Sequence, residues 1–363
     1  MTKIGNLFAG LCLLAILAGC AGNERKASFS LDVDGIQSTR LMFPPESEGV
    51  VPRYVYLGHL YGERNFKEPE PESEGVLRMI GKALEIIKGD APPQELYRPQ
   101  SGVIDELGRT LVADRGLAAV AVFNETEGNL QLWQQAVGSR NFVSPVGIAL
   151  GPEGSVLVSD SELALISRLD KRGNVIAALG QGHLTRPTGV AYEVSSGRVF
   201  VVDTADHQIK IFNLKGELLD VWGERGEGPG EFNFPTYIAV AKGKLYVADT
   251  INARVQVISS DTGRHLATIG KLGIYVGNMV RPKGVSVDGE GNVYVVESFH
   301  DHLLIYNSGG EFLMSIGGVG SAPGQFHLPA GVWVDARNRV FVADTLNSRV
   351  SVFQFLGGGA ESE

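Results

Sequence analysis

Cysteine is almost missing from this chain: of 363 residues only Cys12 and Cys20 carry a thiol. Both lie in the first twenty positions, so no disulfide framework and no cysteine-based zinc site can form in the folded body. A positive charge balance is lacking as well. The 32 Lys+Arg against 41 Asp+Glu leave a net −9, which argues against a protein whose task is to grip phosphate backbones. The composition, 44% hydrophobic and 20% charged with 47 glycines, excludes a disordered chain and a multi-span membrane protein and fits a turn-rich globular body. At roughly 150 residues per domain the length suggests about two domains, an expectation that the repeats described below replace with one ring.

The chain opens on Lys3 and then Leu7-Phe8-Ala9-Gly10-Leu11-Cys12-Leu13-Leu14-Ala15-Ile16-Leu17. This run is too short for a stable bilayer span and suits the apolar region of a secretion signal. The following Leu17-Ala18-Gly19-Cys20 resembles the lipobox of bacterial lipoproteins. That resemblance implies removal of residues 1–19, acylation of Cys20 with diacylglyceryl and fatty-acyl chains such as palmitate, a tether over residues 20–52 and a place in the cell envelope. Each buried methylene adds about 0.8 kcal/mol, so several chains on one cysteine anchor stably. Ala21 after the cysteine, in place of an acidic residue, favours the outer membrane.

The body is one unit repeated six times. A proline and a small apolar strand recur at Arg98-Pro99-Gln100-Ser101-Gly102-Val103, Ser144-Pro145-Val146-Gly147-Ile148, Arg186-Pro187-Thr188-Gly189-Val190, Phe234-Pro235-Thr236-Tyr237-Ile238, Arg281-Pro282-Lys283-Gly284-Val285 and Leu328-Pro329-Ala330-Gly331-Val332. The prolines stand 46, 42, 48, 47 and 47 residues apart. An apolar strand ending in an acid keeps the same step at Asp114, Asp160, Asp203, Asp249, Glu297 and Asp344. Hydrophobicity alternates with period two, as in Val199-Phe200-Val201-Val202-Asp203, so the elements are strands, four to a unit, split by Gly, Asp and Asn turns. Four strands in a period of about 47 predict a propeller blade, whose twisted meander buries both faces against its neighbours.

Ring closure tests that count. The sixth unit lacks its fourth strand before the tail at residues 356–363, and an open blade edge invites aggregation. The alternating segment Arg53-Tyr54-Val55-Tyr56-Leu57-Gly58-His59-Leu60 is expected to fill the gap, so that residues 53–62 close the ring and residues 53–355 form one domain. A Pro-rich and helical insert is expected over 66–93, where positions 76, 80, 83, 84 and 87 share the face of a short amphipathic helix packed on the propeller. The expected fold class is all-β, a six-bladed β-propeller of four-stranded antiparallel blades with an N-terminal closing strand and that one helix.

Residues 98–355 resemble the NHL-repeat family of six-bladed propellers. The resemblance rests on Val247-Ala248-Asp249-Thr250-Ile251-Asn252-Ala253-Arg254-Val255, on Val342-Ala343-Asp344-Thr345-Leu346-Asn347-Ser348-Arg349-Val350, and on linkers such as Gly223-Glu224-Arg225-Gly226-Glu227-Gly228-Pro229-Gly230-Glu231-Phe232. Blades one and two depart most, with Asp114-Arg115-Gly116 and Asp160-Ser161-Glu162, which marks their loops as specialised.

Chemistry is sparse. The Gly-rich linkers lack Gly-Lys-Ser/Thr and join no strand to a helix, so they are turns and not phosphate cradles. The seven histidines cluster only at His300-Asp301-His302, with His207 at a related position, and a solvated loop is the plainer reading than a metal site. No Ser/His/Asp arrangement stands out, and the only calcium-like loop is the isolated Asp32-Val33-Asp34-Gly35. The NHL fold includes a zinc-dependent amidating lyase whose ligands resemble Pro-His-Gly on the inner strands. Here the residue after the proline is Gln100, Val146, Thr188, Thr236, Lys283 or Ala330, never histidine, which counts against that activity. No metal, cofactor or catalytic residue is therefore assigned. The strand-end acids are expected to accept hydrogen bonds from their own turns.

Topology places the lead-in loop of each blade and the loop between its second and third strands on one face. That face gathers Arg98, Arg186, Arg281, Lys283, Asn252, Arg254, His300, His302, Asn347 and Arg349, a candidate recognition surface for an envelope protein, a peptide or an anionic glycan. The bland alternative is that each Arg staples neighbouring loops through an Asp. The expected function is a lipid-anchored binding or scaffold protein without nucleic-acid partners; the alternative is an envelope enzyme of propeller lyase or lactonase type with a divalent metal in the channel.

Overall fold

The computed structural model describes residues 26–31, 41–46, 49–67 and 92–357. The signal, Cys20, the Asp32–Gly35 loop, the helix expected within 66–93 and the end of the tail lie outside the described residues. Within them the chain is an all-β six-bladed propeller. Blade one is built from Pro99–Ile104, Thr110–Asp114, Ala119–Asn124 and Asn129–Trp133, and blade two from Pro145–Leu150, Val156–Asp160, Leu165–Leu169 and Val175–Leu179. Blade three is Pro187–Glu193, Arg198–Asp203, Gln208–Phe212 and Leu218–Trp222; blade four is Pro235–Ala241, Lys244–Asp249, Arg254–Ser259 and His265–Ile269. Blade five is Pro282–Val287, Val293–Glu297, His302–Tyr306 and Phe312–Gly317. Every pairing within these sheets is antiparallel, and each sheet runs in chain order from the channel outward.

Blade six closes the ring. Its Val332–Val334, Arg339–Asp344 and Arg349–Phe355 are joined by Tyr54–Leu60, which pairs antiparallel to Arg349–Phe355 with Val350 opposite Leu60 and Phe355 opposite Tyr54. Met42–Phe43 then adds a fifth strand. The fastening is apolar as well as hydrogen-bonded: Leu60 is buried among Val350, Val352 and Phe341, and Tyr54 sits 5.1 Å from the Phe355 ring.

Alternation explains the burial. Second strands are sandwiched in the sheet and between blades, so Val112, Val158, Val201, Val247, Val295 and Val342 are all fully buried. Outer strands keep a wet face, as in Leu218–Trp222, whose middle residues are exposed. Near the axis the blades approach too closely for side chains. A Cβ on Gly189 would sit 2.7 Å from the Tyr237 Cα, and one on Gly147 would sit 2.2 Å from the Thr188 carbonyl oxygen. The linker motif has a similar cause: Phe232 is buried under Gly223, where φ is +86° and a Cβ would strike the ring at 2.5 Å.

Candidate functional site

The proline and the acid define one end of blades one to five, because Pro99 pairs with Asp114, Pro145 with Asp160, Pro187 with Asp203, Pro235 with Asp249 and Pro282 with Glu297. The acids are buried and accept hydrogen bonds from the lead-in loops. Asp114 takes the amides of Tyr97, Arg98, Gly116 and Leu117. Asp160 likewise takes those of Val143, Ser144, Glu162 and Leu163. Burial pushes the Asp114 carboxyl above its ordinary pKa, and the four amides oppose that push.

Elsewhere the acid also takes a cation. Lys210 lies 2.8 Å from Asp203, Arg254 2.8 Å from Asp249 and Arg349 2.9 Å from Asp344. Burial works against the Lys210 ammonium, but Asp203 and Asp206 outweigh it and hold its pKa above the usual value. The six acids are therefore braces between loops, as expected from sequence.

The candidate face divides accordingly. Arg254 also donates to the carbonyls of Gly228 and Glu231, and Arg349 to those of Ser321, Ala322 and Gln325. Asn252 bridges Asp249 to Gly226, and Asn347 bridges Asp344 to Gly320. These four side chains staple the linkers and have little left for a ligand. His300 pairs with Glu297 at 2.8 Å; half-buried His302 is pushed below the ordinary histidine pKa by burial and by His300. His207 accepts the Phe234 amide through Nδ1. Among the described residues no three His, Cys, Asp or Glu side chains come together as metal ligands.

Four cations remain. Arg98, Arg186 and Arg281 are exposed, and their guanidinium groups enter no ion pair among the described residues; Arg98 stacks on Tyr97. Lys283 lies half-buried at the channel mouth, with its ammonium pKa lowered by burial, then by Arg281 and by Arg115 of blade one. Sequence reasoning marked the Asp114-Arg115-Gly116 loop as specialised but left Arg115 out of the candidate face. The signal was available, because five blades have Ser161, Thr204, Thr250, Ser298 and Thr345 at that position.

The mouth has a floor. Tyr237 stands where Gly147, Gly189, Gly284 and Gly331 stand in four other blades, and its hydroxyl donates to the Gln100 carbonyl of blade one at 2.9 Å. Beyond Tyr237 a cavity of about 280 Å³, lined by inner-strand residues such as Ile148, Val190, Val285 and Trp333, continues along the axis. A larger cavity of about 540 Å³ lies on the opposite face, between Asp105, Glu125, Asp335 and Arg337.

Loops on the mouth face are also apolar. In the lead-in to blade five Ile274 and Tyr275 are each 78% exposed, with Leu272 and Val276 beside them; Ile251, Phe299 and Val319 stand out from adjacent loops of blades four to six. Contiguous exposed apolar groups mark contact surfaces.

With this geometry in hand the comparisons agree on the fold. The family described as a 6-bladed beta-propeller matches residues 191–269. The mouse peptidyl-glycine alpha-amidating monooxygenase is 32% identical over 145 residues, 35% of this chain and 15% of that protein. Mouse NHL repeat-containing protein 3 is 29% identical over 182 residues, 45% of this chain and 52% of its own length. The chain thus spans only a small part of the amidating enzyme and about half of the second relative. A structural genomics protein of unknown function from Bacteroides thetaiotaomicron has a TM-score of 0.58 at 16% identity, covering 73% of this chain and 71% of that one. Virginiamycin B lyase from Staphylococcus aureus has a TM-score of 0.53 at 13% identity, covering 71% and 95%. The chain is a six-bladed β-propeller with NHL-repeat relatives at modest identity.

Proposed function

We propose that this protein is a binding module of the bacterial cell envelope, held through acylated Cys20 at the outer membrane, that docks an acidic polypeptide on the mouth face. One observation carries the reading. On a body of net −9, a single face carries Arg98, Arg186 and Arg281, whose guanidinium groups enter no ion pair among the described residues, together with the exposed apolar loop Leu272–Val276. Apolar contact supplies affinity, and the cations supply steering and register. The likeness to virginiamycin B lyase is one of fold, and no converging ligand set among the described residues favours the lyase or lactonase alternative.

A photo-crosslinking side chain at Tyr275 tests the docking, with a second at Leu219 on the outer strand of blade three as control. The expected result is one adduct from position 275 that is absent from 219 and lost when Arg98, Arg186 and Arg281 are changed to Glu. Equal capture from both positions, capture indifferent to the three substitutions, or an adduct that proves to be glycan would reject it. Anchoring is tested by Cys20→Ser, which should move the protein from the membrane fraction to the soluble one; unchanged fractionation would refute the anchor.

A further inference from the structure

Two positions of the repeat break its residue pattern, and both breaks bring a cation to the same level of the mouth. After the strand-end acid, five blades carry serine or threonine and blade one carries Arg115. After the lead proline, five blades carry an uncharged residue and blade five carries Lys283. These two positions touch within a blade: Thr204 Oγ1 lies 2.7 Å from Thr188 Oγ1, and Thr250 Oγ1 lies 2.8 Å from Thr236 Oγ1. They form a belt round the mouth, at the residue next to the Tyr237 level.

We propose that Lys283, Arg281 and Arg115 form a seat for an oxyanion, a carboxylate or a phosphate monoester carried by the docked partner. The inference deepens the docking reading and rests on its choice of face. This chain pairs its buried cations with acids, Lys210 with Asp203, Arg349 with Asp344 and Arg109 with Asp105, and does the same for half-buried Arg254 with Asp249. Lys283 breaks that rule, since its ammonium has neither an ion pair nor a hydrogen-bond acceptor among the described residues. The charged groups that bear on it are Arg281 from its own lead-in loop and Arg115 from blade one, both of its own sign. A half-buried cation facing two others is costly unless an anion joins them. The blade-five acid, Glu297, is already engaged with the amides of Arg281 and His300 and with the His300 ring. Tyr237 reaches across the axis beneath to the Gln100 carbonyl, so the anion enters from the mouth face.

Binding should also move a proton. Burial and the two arginines lower the Lys283 pKa, and an oxyanion reverses the electrostatic part, so the complex takes up protons wherever free Lys283 is partly deprotonated, below the ordinary 10.5. Calorimetric titration of the full-length protein with inorganic phosphate and with succinate, each in Hepes and in Tris, reads both effects. The expected result is saturable binding, a heat for succinate that depends on the buffer, at least tenfold weaker binding in Lys283→Met, and binding within threefold of wild type but without that buffer dependence for succinate in Lys283→Arg. Arg337→Ala, on the opposite face, should bind as wild type. Tighter binding of phosphate assigns the monoester and tighter binding of succinate the carboxylate. Neither probe binding, or Lys283→Met binding as well as wild type, would overturn the seat. Failure of docking is distinguishable: probes that bind while Tyr275 captures nothing reject the partner and keep the seat, and capture without probe binding does the reverse.

Discussion

The hydroxyl of Tyr237 donates to the carbonyl of Gln100 at 2.9 Å, joining the inner strands of two opposite blades across the ring axis. At the matching position four blades have glycine, forced by the close approach of the next backbone, and blade one has Ser101. One large side chain therefore occupies a space that the others vacate, crosses the axis and lines the cavity there.

This plug makes a graded prediction. Tyr237→Phe removes one hydrogen bond and should cost about 1 kcal/mol. Tyr237→Ala leaves a void at the axis as well and should cost about 3–5 kcal/mol. Urea unfolding of both variants checks the ratio; equal losses would mean that the ring does not pack where its hydrogen bond places it.

Deleting residues 50–62 should abolish cooperative unfolding. That segment holds Tyr54–Leu60, which supplies the fourth strand of blade six and buries Leu60 and Tyr54 against blade residues. Its loss exposes the Arg349–Phe355 edge, with Val350, Val352 and Phe353, and should promote aggregation. A melting temperature equal to that of the intact chain would refute closure by this strand.

The ring was legible in sequence because its landmarks are local. A proline, an alternating strand and an acid recur wherever the same meander must pack between the same neighbours, and the missing fourth strand of the sixth unit announced itself as a shortfall. The candidate face was only half legible. Arg254 and Arg349 follow their acids by five residues, a spacing that brings both to one loop and consumes the charge. Arg98, Arg186 and Arg281 look identical on paper but project from lead-in loops, bond their acids through the backbone amide, and enter no ion pair among the described residues. Tyr237 and Arg115 show in sequence as departures from the repeat, but what each does emerges only on a closed ring, since each matters through a blade distant in sequence. The exposed run Leu272–Val276 reads as one more linker until its burial is known.

The braces differ in what they lose. Asp114→Ala should strand the amides of Tyr97, Arg98, Gly116 and Leu117 and cost about 3 kcal/mol or more, because each buried orphan donor costs about 1–3 kcal/mol. Asp249→Ala leaves the Arg254 charge unpaired and should cost about 3–5 kcal/mol. Adding Arg254→Met should restore part of that second loss and has no counterpart in blade one. Denaturant titration of the three variants decides; a double variant no more stable than Asp249→Ala would show that the pair is not the source of the cost.

Lys283 carries the last prediction. Its pKa is lowered in the folded state relative to the ordinary 10.5, so between the two values the unfolded chain binds more protons and stability rises with pH across that window. Below the folded value both states hold the proton, and the folded state bears the full penalty of a half-buried cation near Arg281 and Arg115. Lys283→Met should therefore stabilise the protein at neutral pH, and the gain should shrink as pH climbs towards 10.5. Thermal unfolding of wild type and variant from pH 6 to pH 10 reads this directly. A variant less stable than wild type at pH 7, or a gain that grows with pH, would mean that the Lys283 ammonium is already compensated and that the mouth has no need of an anion.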